Sequence, residues 1–365
     1  MKIIHVVGAR PNFIKIASIL RACEKTRKIQ SILVHTGQHY TENMSSAFFE
    51  ALDIPTPDIN LRVGSGSHAQ QTAEVMKCFE PVVLRHNPDA VLVVGDVNST
   101  VACALVAAKL SVKTIHVEAG LRSFDRTMPE EINRILTDAI SDILFVTEPS
   151  GVANLKREGI DGAKVHFVGN VMIDTLELYR RKAANSDILN NLNVRAKEYV
   201  VVTLHRPSNV DQHKALPRIV NALAEIQKEM TVVFSAHPRT VKNLALSGLM
   251  ERLEHLPNIL LIKPLVYLNF LKLMSESKLV ITDSGGIQEE TTILGIPCLT
   301  VRENTERPIT ITEGTNVLVG TDTNGILNGY RESLSTPKLH ARPRLWDGKA
   351  CERIVRILLN SLQRK

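Results

Sequence analysis

The chain has few aromatic residues. Phenylalanine, tyrosine and tryptophan make up 4% of its 365 residues, with a single tryptophan. That argues against a stacking platform for single-stranded nucleic acid. Basic residues do not run in blocks, which argues against a DNA-binding tail. No apolar run approaches the roughly 20 residues needed to cross a bilayer. The N-terminal run Ile3–Val7 is too short for a signal peptide and no cleavage site follows it. The five cysteines are Cys23, Cys78, Cys103, Cys298 and Cys351, widely spaced and without a CxxC pair. An odd, scattered set fits a reducing compartment and buried thiols better than disulfides or zinc. The expectation is a cytoplasmic chain with no membrane and no metal.

What is present is ordinary for a globular protein: 44% apolar and 22% charged residues. The length suits two domains. A net charge of +6 suits an acidic ligand and serves solubility equally well.

Short apolar runs alternate with amphipathic segments. Ile3–Val7, Ile32–His35, Ala90–Val94, Thr114–Val117 and Ile143–Val146 read as buried strands, with helices over Phe13–Glu24, Ser99–Leu110 and Pro129–Ser141. The pattern restarts with Tyr199–Thr203, Val232–Ala236, Ile259–Ile262, Leu279–Thr282 and Pro297–Val301. Near-continuous apolar strands between helices mean parallel β–α–β units. The expectation is an α/β chain of two Rossmann-like, doubly wound parallel-sheet domains facing a cleft. Residues 1–170 form the first domain and 171–348 the second, and the last helix, within 349–365, is placed to return to the first.

In such sheets ligands sit beyond the carboxyl ends of the strands. The first strand is followed by Gly8-Ala9-Arg10-Pro11-Asn12, with Lys15 in the next helix. Asp96 follows Ala90–Val94, with Asn98 or Ser99 available to cap the next helix. Glu118 follows Thr114–Val117, and Arg122 is an available partner for it, since buried charge needs one. Thr127 and Glu130 have capping-box spacing, which leaves Glu131 freer to face a ligand. The string Gly64–Ala69 reads as a flexible loop rather than a dinucleotide fingerprint. His205-Arg206 and His237-Pro238-Arg239 both lie just past strands. Thr282–Glu290 ends a strand and opens a helix at Ser284-Gly285-Gly286, with Ser284 or Asp283 as cap. Two glycines let a phosphate reach free N–H groups, and the helix dipole assists. Glu290 lies about two turns further on, within reach of a ribose hydroxyl.

Together, Gly8–Pro11, Thr36–His39, Gly95–Ser99, His116–Arg122, Met128–Arg134 and Asp283–Glu290 resemble the non-hydrolysing UDP-N-acetylglucosamine 2-epimerases, in that family's order and over essentially the whole chain. The resemblance implies the GT-B fold of two-domain glycosyltransferases, a homodimer, a UDP-sugar substrate and no cofactor. It implies reversible epimerisation at C2 of UDP-N-acetylglucosamine to UDP-N-acetylmannosamine through loss and return of UDP. Matched position by position, the catalytic group falls on Asp96, Glu118, Glu131, His205 and Lys15. UDP and substrate contacts fall on Arg10, His237, Ser284, Gly285, Gly286 and Glu290. A second, activating site falls on Gln38, His39, Gln70 and Arg206, with Glu131. Many relatives read His-Arg-Arg-Glu-Asn where this chain has His205-Arg206-Pro207-Ser208-Asn209, so one charge pair is missing. Relatives acting on UDP-2,3-diacetamido-glucuronic acid share most of these motifs, and a GT-B glycosyltransferase would share the C-terminal phosphate motif.

Overall fold

A computed structural model describes residues 1–37, 52–211, 214–336 and 341–362. Gln38 and His39 lie outside these residues, as does the side chain of Arg10.

The chain separates into two compact units, 1–178 with 344–365, and 179–343. The division falls inside the helix Val171–Ala184, whereas the sequence suggested residue 170. The C-terminal helix belongs to the first unit for identifiable reasons. Asp174 caps it in trans, accepting from Ala350 N–H at 3.1 Å and Cys351 N–H at 2.7 Å. Trp346 is fully buried just before it and donates to the Thr147 carbonyl at 2.8 Å.

The strands of the first unit are β1 (Lys2–Val7), β2 (Gln30–His35), β3 (Ile59–Asn60), β4 (Ala90–Val94), β5 (Lys113–Ala119), β6 (Ile143–Val146) and β7 (Val165–Phe167). They pair in parallel in the order β3-β2-β1-β4-β5-β6-β7. The second unit holds β8 (Tyr199–Thr203), β9 (Thr231–Ser235), β10 (Ile259–Ile262), β11 (Leu279–Thr282), β12 (Cys298–Thr300) and β13 (Asn316–Leu318), in the order β10-β9-β8-β11-β12-β13. Both orders run outward in two directions from a central pair, β1/β4 and β8/β11. The loops after those strands diverge, leaving a crevice at the carboxyl ends.

The strands are apolar on both faces because helices cover both. Ile4, Val6, Val91 and Val93 pack against Val75, Phe79 and Cys103 from flanking helices. Val200, Val202, Phe234 and Ile281 do the same in the second unit. Each such residue, fully buried, contributes about 1.5–3 kcal/mol.

Three local expectations fail. Gly64–Ala69 is not simply a loop. Ser67 caps a helix, His68–His86, by accepting from Gln70 N–H at 3.3 Å, and Gln70 returns its side chain to the Ser67 backbone. The helix Pro129–Ile140 starts after Met128 with no side-chain cap, because the Thr127 hydroxyl donates to Asp125 instead. The helix Asn98–Lys109 likewise lacks one, since the Ser99 hydroxyl is turned to Thr36 at 2.7 Å.

Candidate active site

In the first unit the expected carboxylates gather at the ends of β4 and β5. Glu118 is 3% exposed, although it lies at the end of a strand. The ladder between β5 and β6 shifts register between Val117 and Ala119, and Glu118 takes φ +72°. A bulge of this kind re-aims a side chain, and the left-handed backbone of a non-glycine residue costs about 1–3 kcal/mol. One oxygen of Glu118, Oε2, is 2.5 Å from Lys15 Nζ. The other, Oε1, is buried with no hydrogen-bond partner among the described residues. Lys15 therefore takes the place suggested for Arg122. Arg122 pairs instead with Asp138 at 2.7 Å and Glu158 at 2.7 Å.

Gly95 makes the approach of Lys15 possible. It has φ +73°, and a Cβ there would lie 3.3 Å from Lys15 Nζ and 3.8 Å from Glu118 Oε2. Asp96 is the next residue in the chain.

Asp96 and Glu131 are joined by Arg134. Arg134 Nη1 donates to Asp96 Oδ2 at 2.5 Å, while Nε and Nη2 donate to Glu131 Oε2 at 3.0 and 2.6 Å. Asn133 holds the Asp96 carbonyl at 2.9 Å. Glu131 also accepts from Ser123 N–H at 3.0 Å and Phe124 N–H at 2.9 Å. Burial opposes its charge, but the Ser123 N–H, Arg134 and the Phe124 N–H outweigh it and hold the carboxyl below its ordinary range. Glu131 was expected to be freer than Glu130 to face a ligand; in this structure both of its oxygens accept from protein donors. The role of Arg134 was not foreseen, although its i+3 spacing from Glu131 on a helix was the available signal.

In the second unit His205, Arg206 and Asn209 converge on Asp283, at the paired ends of β8 and β11. Asp283 is fully buried and accepts from the backbone N–H groups of His205 and Arg206, from Asn209, and from His205 Nδ1 at 2.9 Å. Burial works against its charge; the His205 imidazole and these donors prevail and keep the carboxyl low. The His205 ring stays accessible, its side chain 44% exposed, with its centroid 6.4 Å from that of His237. His237 caps the helix Pro238–Leu246, its Nδ1 accepting from Arg239 N–H at 3.2 Å.

Ser284 sits at the N-cap of the helix Gly285–Leu294 without a side-chain cap bond, and Asp283 is turned away to His205. The first-turn N–H groups therefore face outward uncapped by either residue, a setting suited to an anion. Arg307 packs against Gly285, held by Glu289 at 2.7 Å and Glu306 at 2.5 Å. Arg206 reaches Glu306 at 3.2 Å, and Pro207 opens the short helix Pro207–Val210. Gln70 is exposed and engaged in its own helix cap. Glu290 is buried and accepts from the Tyr267 hydroxyl at 2.7 Å. Burial drives its carboxyl up to about 7, against that hydrogen bond. Nothing in the spacing of the sequence pointed to Tyr267.

A family model described as UDP-N-acetylglucosamine 2-epimerase matches residues 21–359. A UDP-N-acetylglucosamine 2-epimerase of Methanocaldococcus jannaschii is 45% identical over 363 residues, covering 98% of this chain and 99% of that protein. A UDP-2,3-diacetamido-2,3-dideoxy-D-glucuronate 2-epimerase of Pseudomonas aeruginosa is 42% identical, covering 98% and 99%. The crystal structure of the M. jannaschii UDP-GlcNAc 2-epimerase in complex with UDP-GlcNAc and UDP matches with a TM-score of 0.93 at 44% identity, covering 99% of this chain and 100% of that one. With the two parallel-sheet units and the residues at their strand ends, these likenesses decide the assignment: the chain belongs to the UDP-N-acetylglucosamine 2-epimerase family.

Proposed function

We propose that the protein interconverts UDP-N-acetylglucosamine and UDP-N-acetylmannosamine by eliminating and re-adding UDP. The C2 proton of the sugar is not acidic enough to be removed unaided. In the first step a carboxylate takes the C2 proton as the C1–O bond breaks. UDP leaves with the bonding pair, and a C1=C2 double bond remains. In the second step a proton is delivered to the opposite face of C2 and UDP returns to C1. The chemistry needs two proton-transfer groups, a cradle for the departing diphosphate, and no change of redox state.

The observation that carries this reading is Glu118: a buried carboxylate with one oxygen on Lys15 and the other without a partner among the described residues, its charged end close to Gly95, which precedes Asp96. Glu118 and Asp96 are the two proton-transfer groups. Glu131, engaged by its protein donors, holds Arg134 and through it Asp96. Lys15 keeps Glu118 oriented. In the second unit Ser284, Gly285 and Gly286 bind the diphosphate with His205 and His237, while Glu290 accepts from the ribose; Arg10, of the first unit, is a further substrate contact in this reading. The activating site on Gln38, His39, Gln70 and Arg206, a homodimer and a cytoplasmic location belong to the same reading.

The alternative substrate is UDP-2,3-diacetamido-glucuronic acid, favoured by the 42% identical relative of that activity. One proton NMR assay decides. The purified protein is given each UDP-sugar in turn and the C1 and C2 signals are followed. Epimer formation from UDP-N-acetylglucosamine, without free UDP accumulating, supports the reading. Turnover of the diacetamido sugar alone, or net release of UDP and free sugar, overturns it.

A further inference from the structure

His116 lies in β5, two residues before Glu118, and is fully buried. Both of its ring nitrogens face acceptors. Nε2 is 2.9 Å from the Gly95 carbonyl and Nδ1 is 2.6 Å from Asp138 Oδ1. A carbonyl oxygen can only accept, so Nε2 bears a proton. In the second contact the proton belongs either to the ring or to the carboxyl group. Asp138 Oδ2 accepts from Gly120 N–H at 3.0 Å and lies 2.7 Å from Arg122 Nη2. Charged and backbone donors of this kind favour the carboxylate. An ionised Asp138 can only accept, so Nδ1 bears a proton as well.

We propose that His116 is a buried imidazolium, donating from both ring nitrogens, and that it is the positioning residue that locks together the three segments carrying Asp96, Glu118 and Glu131. Its contacts match those segments one for one. Gly95 directly precedes Asp96. His116 shares β5 with Glu118. Asp138 is on the helix Pro129–Ile140, which carries Glu131 and Arg134. The surrounding charges balance: His116 and Arg122 are the cations, Asp138 and Glu158 the carboxylates. Asp138 therefore has two opposite charges in contact, as a buried carboxylate requires. A neutral amide of similar size fills the space but cannot donate in both directions, so it frees either Gly95 or Asp138. Loss of the Gly95 contact lets Asp96 drift, and small misplacements of reacting groups are costly.

The test has two arms. In the first, protein with 15N-labelled histidine is examined by NMR, and the His116 ring is assigned from its disappearance in His116→Gln. Both ring nitrogens should carry protons in the folded protein, and Asp138→Asn should leave only Nε2 protonated. A single protonated nitrogen in the unmodified protein overturns the proposal. The second arm rests on the epimerase reading above. His116→Gln and Asp138→Asn should each lower kcat, by up to about 100-fold, with KM nearly unchanged. Unchanged kcat, or a loss confined to KM, overturns the positioning role. If His116→Gln does not fold, Asp138→Asn carries the kinetic arm and the ring signals are assigned through it. If the unmodified protein has no epimerase activity, the first arm still decides the charge state, and the failure lies with the functional reading.

Discussion

Lys15 Nζ stands 2.5 Å from Glu118 Oε2, with both side chains almost wholly removed from solvent, while Glu118 Oε1 has no partner among the described residues. A buried pair of this kind costs more when one member is lost than when both are replaced. Lys15→Met leaves Glu118 as an unpaired buried charge. It is expected to cost about 3–5 kcal/mol of stability in urea unfolding. Adding Glu118→Gln to Lys15→Met should restore part of that loss. Strict additivity of the two substitutions would show that the contact is not a coupled pair.

Glu290 carries a pH dependence of definite sign. Burial raises its carboxyl from 4.5 to about 7, against the opposing hydrogen bond from Tyr267. The unliganded fold is favoured by this group at acid pH, and that contribution is lost as pH rises through about 7. Glu290→Gln removes the titration. The unliganded variant should exceed the parent in stability by about 3 kcal/mol at about pH 8. The difference should close as the pH falls to the ordinary carboxylate range. UDP affinity should move the other way. In the parent it falls below about pH 7 as the ribose loses its carboxylate acceptor, and in the variant it is weak and flat with pH. Denaturant titration and calorimetry across pH check both; a variant less stable than the parent at high pH contradicts the account.

Gly285 tests the diphosphate cradle. A Cβ at this position would lie 2.4 Å from Arg307 Nη1, and Arg307 is held by Glu289 and Glu306. The guanidinium cannot easily yield, so the start of the helix must move. Gly285→Ala should weaken UDP binding about tenfold, equivalent to about 1.4 kcal/mol, with the far-UV dichroism unchanged. Undiminished binding by calorimetry would show that UDP does not use this helix start.

Much of the fold was legible because the buried parallel strands are nearly pure apolar runs. Ala90–Val94, Ile143–Val146, Tyr199–Thr203, Ile259–Ile262 and Leu279–Thr282 lie where the sequence placed them. The short edge strands β7 and β13, of three residues each, carry too little pattern to stand out. The positions of Asp96, Glu118, His205 and Ser284 followed from their being just past strands. Their partners did not follow, because they come from distant segments. Lys15 reaches Glu118 across 103 positions and Arg134 reaches Asp96 across 38, while the nearer Arg122 is drawn away by Asp138 and Glu158. Local spacing favours a near cation; only the register of β1, β4 and β5 reveals the far one.

In the proposed reaction the C2 proton leaves the sugar and is replaced from solvent. Incubating the protein with UDP-N-acetylglucosamine in deuterated water and reading C2 by NMR tests it directly. Exchange through Glu118 and Asp96 predicts deuterium at C2 of the UDP-N-acetylmannosamine formed. Epimer that forms with its C2 proton retained would contradict the account.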